Sequence, residues 1–285
     1  MNVTDSRLVA CVLGVDVDAV DMEGALGNVA AFLQSSLKGY VCVAGVHGIM
    51  EAQGNPQLLE IYCKAAMTIP DGMPLAWVGR MQGHSGMQRV TGPDLMLEVF
   101  RRKEFSETTH FFYGGREGVA AELRDKLQQQ FPWVKIVGTY TPPFRELSEC
   151  EETELFAHIA TLKPDITWIG IGCPKQEIFM ARYLPNLETK LMVGVGAAFD
   201  FHTGRIRDCA NWMKRAGLQW LHRLLQDPRR LWWRYLRNNP AFLWRITLQM
   251  LHVRRSTRRS ASAPLYHSCR PRFARQDRDN ELTGN

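Results

Sequence analysis

Thr109-His110-Phe111-Phe112-Tyr113-Gly114-Gly115-Arg116-Glu117-Gly118 opens the stretch that decides the fold, and Trp133-Val134-Lys135-Ile136-Val137-Gly138 closes it. Residues 109–113 form a short apolar, aromatic run. Residues 117–131 show helical spacing, and residues 134–138 are a second apolar run. Strand, helix and strand in close succession make the unit from which parallel sheets are assembled. The same alternation extends to both sides. Strand 8–16, helix 22–37, strand 40–46, helix 48–66, strand 66–70 and helices 74–82 and 93–103 precede it. Helix 149–162, strand 165–171, helix 175–184 and strand 190–196 follow it. This pattern predicts an α/β fold with a mainly parallel, doubly wound sheet. No internal repeat is visible.

With 285 residues, the chain is long enough for one domain of roughly 200 residues plus an appendage. Hydrophobic content of 45% and charged content of 22% describe a globular chain rather than a disordered one. The seven cysteines are scattered without a Cys-x-x-Cys, which argues against a disulfide framework or a zinc site and for a reducing cytoplasm. The N-terminus has no signal-peptide pattern, and no apolar run nears the ~18 residues of a membrane span. The net charge of +6 is uneven. Residues 203–260 are rich in Lys and Arg against only Asp208 and Asp227, so an anionic partner is expected.

From Trp212 the texture changes. Five of the eight tryptophans (Trp212, Trp220, Trp232, Trp233, Trp244) are interleaved with Arg215, Arg223, Arg229, Arg230, Arg234, Arg237 and Arg245. Helical spacing fits 212–225 and 229–253, with Asp227-Pro228 opening the second helix. The domains expected are therefore 1–204 (catalytic), 205–253 (helical, membrane-associating) and 254–285 (a disordered basic tail). A Trp/Arg stripe is most simply packed helix with snorkelling arginines, but an exposed face of this composition also suits an anionic membrane.

Four segments carry chemistry. Pro70-Asp71-Gly72 ends a strand with a carboxylate where α/β proteins bind ligands, and Arg89 follows before the helix-capping Thr91-Gly92-Pro93-Asp94. A lone Asp-Gly is usually a turn. Gly114, Gly115 and the following helix could cradle a phosphate, but the spacing fails the dinucleotide fingerprint. Gly172-Cys173-Pro174-Lys175-Gln176-Glu177 projects polar groups at a helix start, and Gln176 suits a sugar hydroxyl. The run from Gly194 to Gly204 reads as the floor of a pocket, with Asp200 and His202 in a structural turn. Asp16-Val17-Asp18 imitates a metal–diphosphate motif but reads as exposed strand residues, because no carboxylate or His cluster accompanies it.

Taken in order, Pro70-Asp71-Gly72, Arg89 to Leu95, Phe112-Tyr113-Gly114-Gly115, Gly172 to Glu177 and Gly194 to Asp200 resemble the WecG/TagA/CpsF glycosyltransferases, glycosyltransferase family 26. The resemblance runs from about residue 8 to 245. It implies a Rossmann-like GT-E fold. It also implies inverting, metal-independent transfer of a hexose or N-acetylhexosamine, N-acetylmannosamine commonly, from a UDP-sugar. The implied acceptor is a polyprenyl-diphosphate-linked sugar at the cytoplasmic face of the plasma membrane, in cell-surface polysaccharide synthesis. By position Asp71 matches the general base, Arg89 the diphosphate-supporting residue and Gln176 a substrate contact. Lys175, Gly114 and Gly115 join Gln176 as expected substrate-binding positions. Arg223 and Arg230 are the best matches to arginines supplied by the appendage, with Arg234 a weaker one.

One departure stands out. The family's Thr-x-Asn is here Val43-Ala44-Gly45, followed by Val46-His47, so Gly45 and His47 occupy the expected substrate-contact region. This leaves the sugar recognised open. The implied partners are a UDP-sugar, a polyprenyl-diphosphate-linked acceptor and an anionic membrane surface, with no cofactor, metal or nucleic acid; a homo-oligomer is left open. The rival is a non-catalytic nucleotide-sugar-binding or regulatory module, which would not need Asp71 as a base.

Overall fold

The computed structural model describes residues 7–259. It begins with an antiparallel hairpin, β1 (Val9–Val12) and β2 (Val15–Asp18), and then α1 (Met22–Gln34). The main sheet comprises β3 (Gly39–Ala44), β4 (Met67–Pro70), β5 (Thr109–Gly114), β6 (Lys135–Tyr140), β7 (Ile166–Gly170) and β8 (Leu191–Gly194). Their order is β4-β3-β8-β7-β5-β6, and every pair is parallel. The expected doubly wound α/β fold is present.

The crossovers hold α2 (Val46–Gly54), α3 (Pro56–Lys64), α4 (Met73–Met81), α5 (Gly92–Arg101), α6 (Val119–Gln130), α7 (Glu149–Leu162), α8 (Lys175–Tyr183) and the short α9 (Ala198–His202). Helices cover both faces of the sheet, so its strands read as continuous apolar runs. Tyr40, Cys42 and Ala44 of β3 join one core layer with Phe111, Ile169 and Met192, under α2, α3 and α8. Val41 and Val43 point the other way, with Phe112, Trp168 and Val193, under α1, α5 and α6. Within that second layer His110 is held neutral, its pKa pushed down to about 3 by burial, and Nδ1 accepts from Trp168 Nε1 at 3.2 Å.

The C-terminal region is helical as expected: α10 (Asn211–Arg215), α11 (Gln219–Gln226) and α12 (Pro228–Arg259). Leu231, Asn238, Phe242 and Ile246 of α12 are buried against the body, spaced by two helical turns and then by one turn each. Gln249 reaches the hairpin, accepting from Leu13 N–H at 2.8 Å and donating to the Cys11 carbonyl at 2.8 Å. Among the described residues no helix is long and apolar enough to cross a membrane.

Several local expectations are corrected. The strand expected at 8–16 is a hairpin, because Leu13 (φ 50°) and Gly14 (φ 84°) make a two-residue turn of the type that joins antiparallel strands. The helix expected at 48–66 breaks at Asn55-Pro56. Proline disfavours the α conformation in the residue before it, and Asn55 caps the new helix by accepting from Leu58 N–H at 3.2 Å. Gly217 (φ 70°) divides the helix expected at 212–225 into α10 and α11. Asp18 is buried rather than exposed: Arg7 pairs with its carboxylate, which also accepts from Thr68 N–H at 2.6 Å. α12 continues past 253, and the tail expected at 254–285 lies outside the described residues from 260 on.

Candidate active site

All six sheet strands deliver their carboxyl ends to one edge, where the candidate residues gather. Two backbone hydrogen bonds set the centre. Asp71 N–H donates to the Ala44 carbonyl at 2.8 Å, extending the β3–β4 pairing by one residue, and Val90 N–H donates to the Pro70 carbonyl at 2.9 Å. The Arg89 loop is thereby laid beside the Asp71 loop. Gly72, at φ 116°, turns the chain from the strand into α4. Gly45 leaves room for the carboxylate: a Cβ there would stand 3.3 Å from the Asp71 carbonyl oxygen and 3.7 Å from Oδ2.

Burial lifts the Asp71 carboxyl above its ordinary range, against the pull of Arg89, Arg223 and Arg234. These three charges come from distant parts of the chain. Arg89 is fixed on two sides, its Nη2 bonding Asp94 Oδ2 at 3.0 Å and its Nη1 bonding Gln219 Oε1 of α11 at 2.8 Å. Arg223 lies over the Phe201 ring, 5.6 Å from its centroid, so the pocket-floor segment also seats an arginine. Arg234 is mostly buried. Burial lowers its pKa, the Asp71 carboxylate is among the charges it feels, and its Nε has no hydrogen-bond partner among the described residues. Arg230 lies elsewhere: its side chain is 64% exposed and its Nε pairs with Asp227 at 2.8 Å. Four residues apart, the two lie only about 40° apart around α12, but Arg230 is turned out to Asp227 at the start of the helix while Arg234 lies nearer the side buried at Leu231 and Asn238.

The remaining positions serve largely as framework. Gln176 is buried; its Oε1 accepts from Gly196 N–H at 3.0 Å and its Nε2 donates to Glu177 Oε1 at 3.0 Å. It thus braces the β8 loop against α8. Glu177 is fully buried with Oε2 unpartnered among the described residues, and burial raises its pKa. His47 uses its ring within the protein: Nδ1 accepts from Asn238 Nδ2 at 3.0 Å, and the ring bonds the Cys173 backbone. Gly114 and Gly115 pack on β7, where a Cβ on Gly114 would come within 2.6 Å of the Gly170 backbone. Lys175 is exposed at the start of α8. His202 Nε2 bonds the Pro93 carbonyl at 3.0 Å and ties α9 to α5.

Residues 10–256 match the family described as glycosyl transferase WecG/TagA/CpsF. The chain belongs to this family. A protein of Bacillus spizizenii named N-acetylglucosaminyldiphosphoundecaprenol N-acetyl-beta-D-mannosaminyltransferase is 26% identical over 227 residues, covering 80% of this chain and 84% of that one. A Bacillus subtilis protein of the same name is 25% identical over 178 residues, covering 62% and 66%.

Within this family the arrangement pairs a carboxylate with a cluster of guanidinium groups, as proton transfer and anion stabilisation require. Gln219 and Asn238 were absent from the sequence expectations, since each is an ordinary polar residue on a helix until tertiary packing sets it against Arg89 or His47. Among the described residues, no three His, Cys, Asp or Glu side chains converge as metal ligands. Asp16 and Asp18 belong to the hairpin strand β2, and Asp18 is committed to Arg7 and Thr68.

Proposed function

We propose that the protein transfers a hexose or N-acetylhexosamine, of N-acetylmannosamine type, from a UDP-sugar to a sugar carried on a polyprenyl diphosphate. The reaction inverts the anomeric centre, needs no metal and serves cell-surface polysaccharide synthesis. Family membership and the relatives' acceptor, a diphosphoundecaprenol-linked sugar, support this reading. The observation that carries it is the meeting of Asp71 with guanidinium groups from the body and the appendage.

In this mechanism Asp71 takes the proton of the acceptor hydroxyl as its oxygen attacks the anomeric carbon. The bond from that carbon to the UDP oxygen breaks, and the electron pair leaves with UDP. Arg89, Arg223 and Arg234 hold the charge that gathers on the diphosphate. Each such donor contributes about 3–4 kcal/mol to the transition state. The raised pKa of Asp71 makes it a stronger base than an exposed aspartate.

The work takes place on the inner face of the plasma membrane, with the appendage as the docking surface. Trp232, Trp233, Leu236, Leu243, Trp244 and Leu251 are exposed on α12, with Arg229 and Arg237 exposed among them. Residues 11 and 18 positions after Trp233 return close to its azimuth at 3.6 residues per turn, giving a continuous stripe. Apolar side chains flanked by basic ones suit an anionic bilayer surface.

The test is UDP release from a panel of UDP-sugars with a lipid-diphosphate acceptor, in excess EDTA, for the wild type and Asp71→Asn. Acceptor-dependent release in EDTA that Asp71→Asn abolishes supports the reading. Nucleotide binding without transfer, or full activity in Asp71→Asn, would overturn it.

A further inference from the structure

Arg234 stands on a helix with few directional ties to the body. Phe242 and Ile246 anchor α12 by apolar contact, which tolerates sliding and rotation. Gln249 fixes orientation through its two bonds to the hairpin, but it lies 15 residues beyond Arg234, about 22 Å along the helix axis. Pro240 also falls between them, inside the helix. It has no N–H to give to the preceding turn and allows the two halves of α12 to bend relative to one another.

On Arg234's own side of Pro240, Asn238 supplies a directional tie. It sits one turn after Arg234 and is 8% exposed. Its Nδ2 donates to His47 Nδ1 at 3.0 Å. His47 stands in the first turn of α2, two residues after the Gly45 that faces Asp71, and its ring also bonds the Cys173 backbone in the loop entering α8. One imidazole therefore joins the α12 segment bearing Arg234 to two loops of the catalytic edge.

Building on the proposed role of Arg234, we propose that the Asn238–His47 hydrogen bond is a latch that holds Arg234 in the crevice beside Asp71. Asn238 and His47 are then positioning residues for the transfer. Burial first, and the neighbouring Arg234 charge second, push the His47 pKa down to about 4, so at neutral pH the ring is uncharged and Nδ1 keeps its lone pair. The Glu51 carboxylate, 3.6 Å from Nδ1, gains no ion pair from an uncharged ring.

Steady-state UDP release and hydrogen exchange test the latch together. Asn238→Ala and His47→Ala each lower kcat about tenfold, and the double variant is no worse than the weaker single, as coupled residues require. His47→Asn, whose Oδ1 takes the place of Nδ1, recovers most of the loss. In an Arg234→Ala background, Asn238→Ala changes kcat less than about twofold, because the group it positions is gone. Fully additive losses with Arg234→Ala would overturn the proposal, since they would mean a general structural role. Exchange at the backbone amides of 229–238, measured without substrate, should accelerate equally in Asn238→Ala and His47→Ala. Unchanged exchange would also overturn the latch, whatever the enzyme does. A wild-type chain that transfers no sugar but shows the exchange effect would sink the proposed function and leave the latch standing.

Discussion

Replacing Trp233 and Trp244 together by alanine should detach the protein from membranes without unfolding it. Trp233 is 59% exposed and Trp244 is 67% exposed, on the same side of α12. A tryptophan presents up to about 250 Å², so the two offer roughly 150 and 170 Å² of free surface. At about 25 cal/mol per Å², full transfer out of water would be worth ~8 kcal/mol. Insertion at the headgroup boundary realises about half of that, or ~4 kcal/mol, close to three orders of magnitude in partition. The assay is co-sedimentation with vesicles containing anionic lipid, alongside a thermal melt. Because both side chains are largely outside the core, the melt should move little. Partition within twofold of wild type would refute the docking face, and a large drop in Tm would refute the assignment of these rings to the surface.

The remaining predictions concern Asp71, the two appendage arginines and Glu177. Asp71→Asn should keep UDP binding and lose about 10²–10⁴ in kcat, the scale of general-base catalysis. In the wild type, kcat/KM should fall as pH falls through the Asp71 pKa, on a limb lying above the ordinary aspartate value of 3.8 because burial raises it; a limb at or below 3.8 would remove Asp71 as the base. Arg234→Ala should cost about 10²–10³ in kcat on a water-soluble acceptor. Arg230→Ala should leave that reaction close to wild type and weaken vesicle binding by ~1 kcal/mol; equal losses in kcat would refute the separation of the two arginines. Glu177→Gln should stabilise the fold at pH 8 and change little near pH 4. Burial raises the carboxyl's folded pKa above 4.5, so wild-type stability declines as pH rises from that value and levels off above the folded pKa. Melting curves at both pH values decide this, and a lower Tm for the variant at pH 8 would contradict it.

The sheet was legible because all its strands but the edge strand β6 are buried on both faces and read as near-continuous apolar runs. Val41-Cys42-Val43 and Phe111-Phe112-Tyr113 leave no other reading between helical segments. Boundaries failed where one residue's backbone decided the matter. Leu13 carries no turn signal, yet it takes a positive φ because the following Gly14 and the pairing of Val12 with Val15 close the hairpin around it. Asn55-Pro56 was a legible break, since a cap followed by proline starts a helix, but the apolar spacing of 48–66 runs through it and masks it.

The site divides along the same line. Asp71 and Arg89 were readable because strand ends and caps are local, and two adjacent loops suffice to bring them together. The appendage arginines were harder, since spacing alone cannot say which side of a helix meets the body. Arg230 and Arg234 have the same neighbours in composition, and only the buried residues Leu231, Asn238 and Phe242 reveal that Arg234 faces inward. His47, 191 positions away in the chain, bonds Asn238 on that same side. The side chain expected at His47 to contact substrate bonds Asn238 of α12. In the proposed mechanism the half-buried imidazole of His47 ties α12 to the sheet edge that carries Asp71, so docking α12 on a bilayer and presenting Arg234 would be set by the same rotation of one helix.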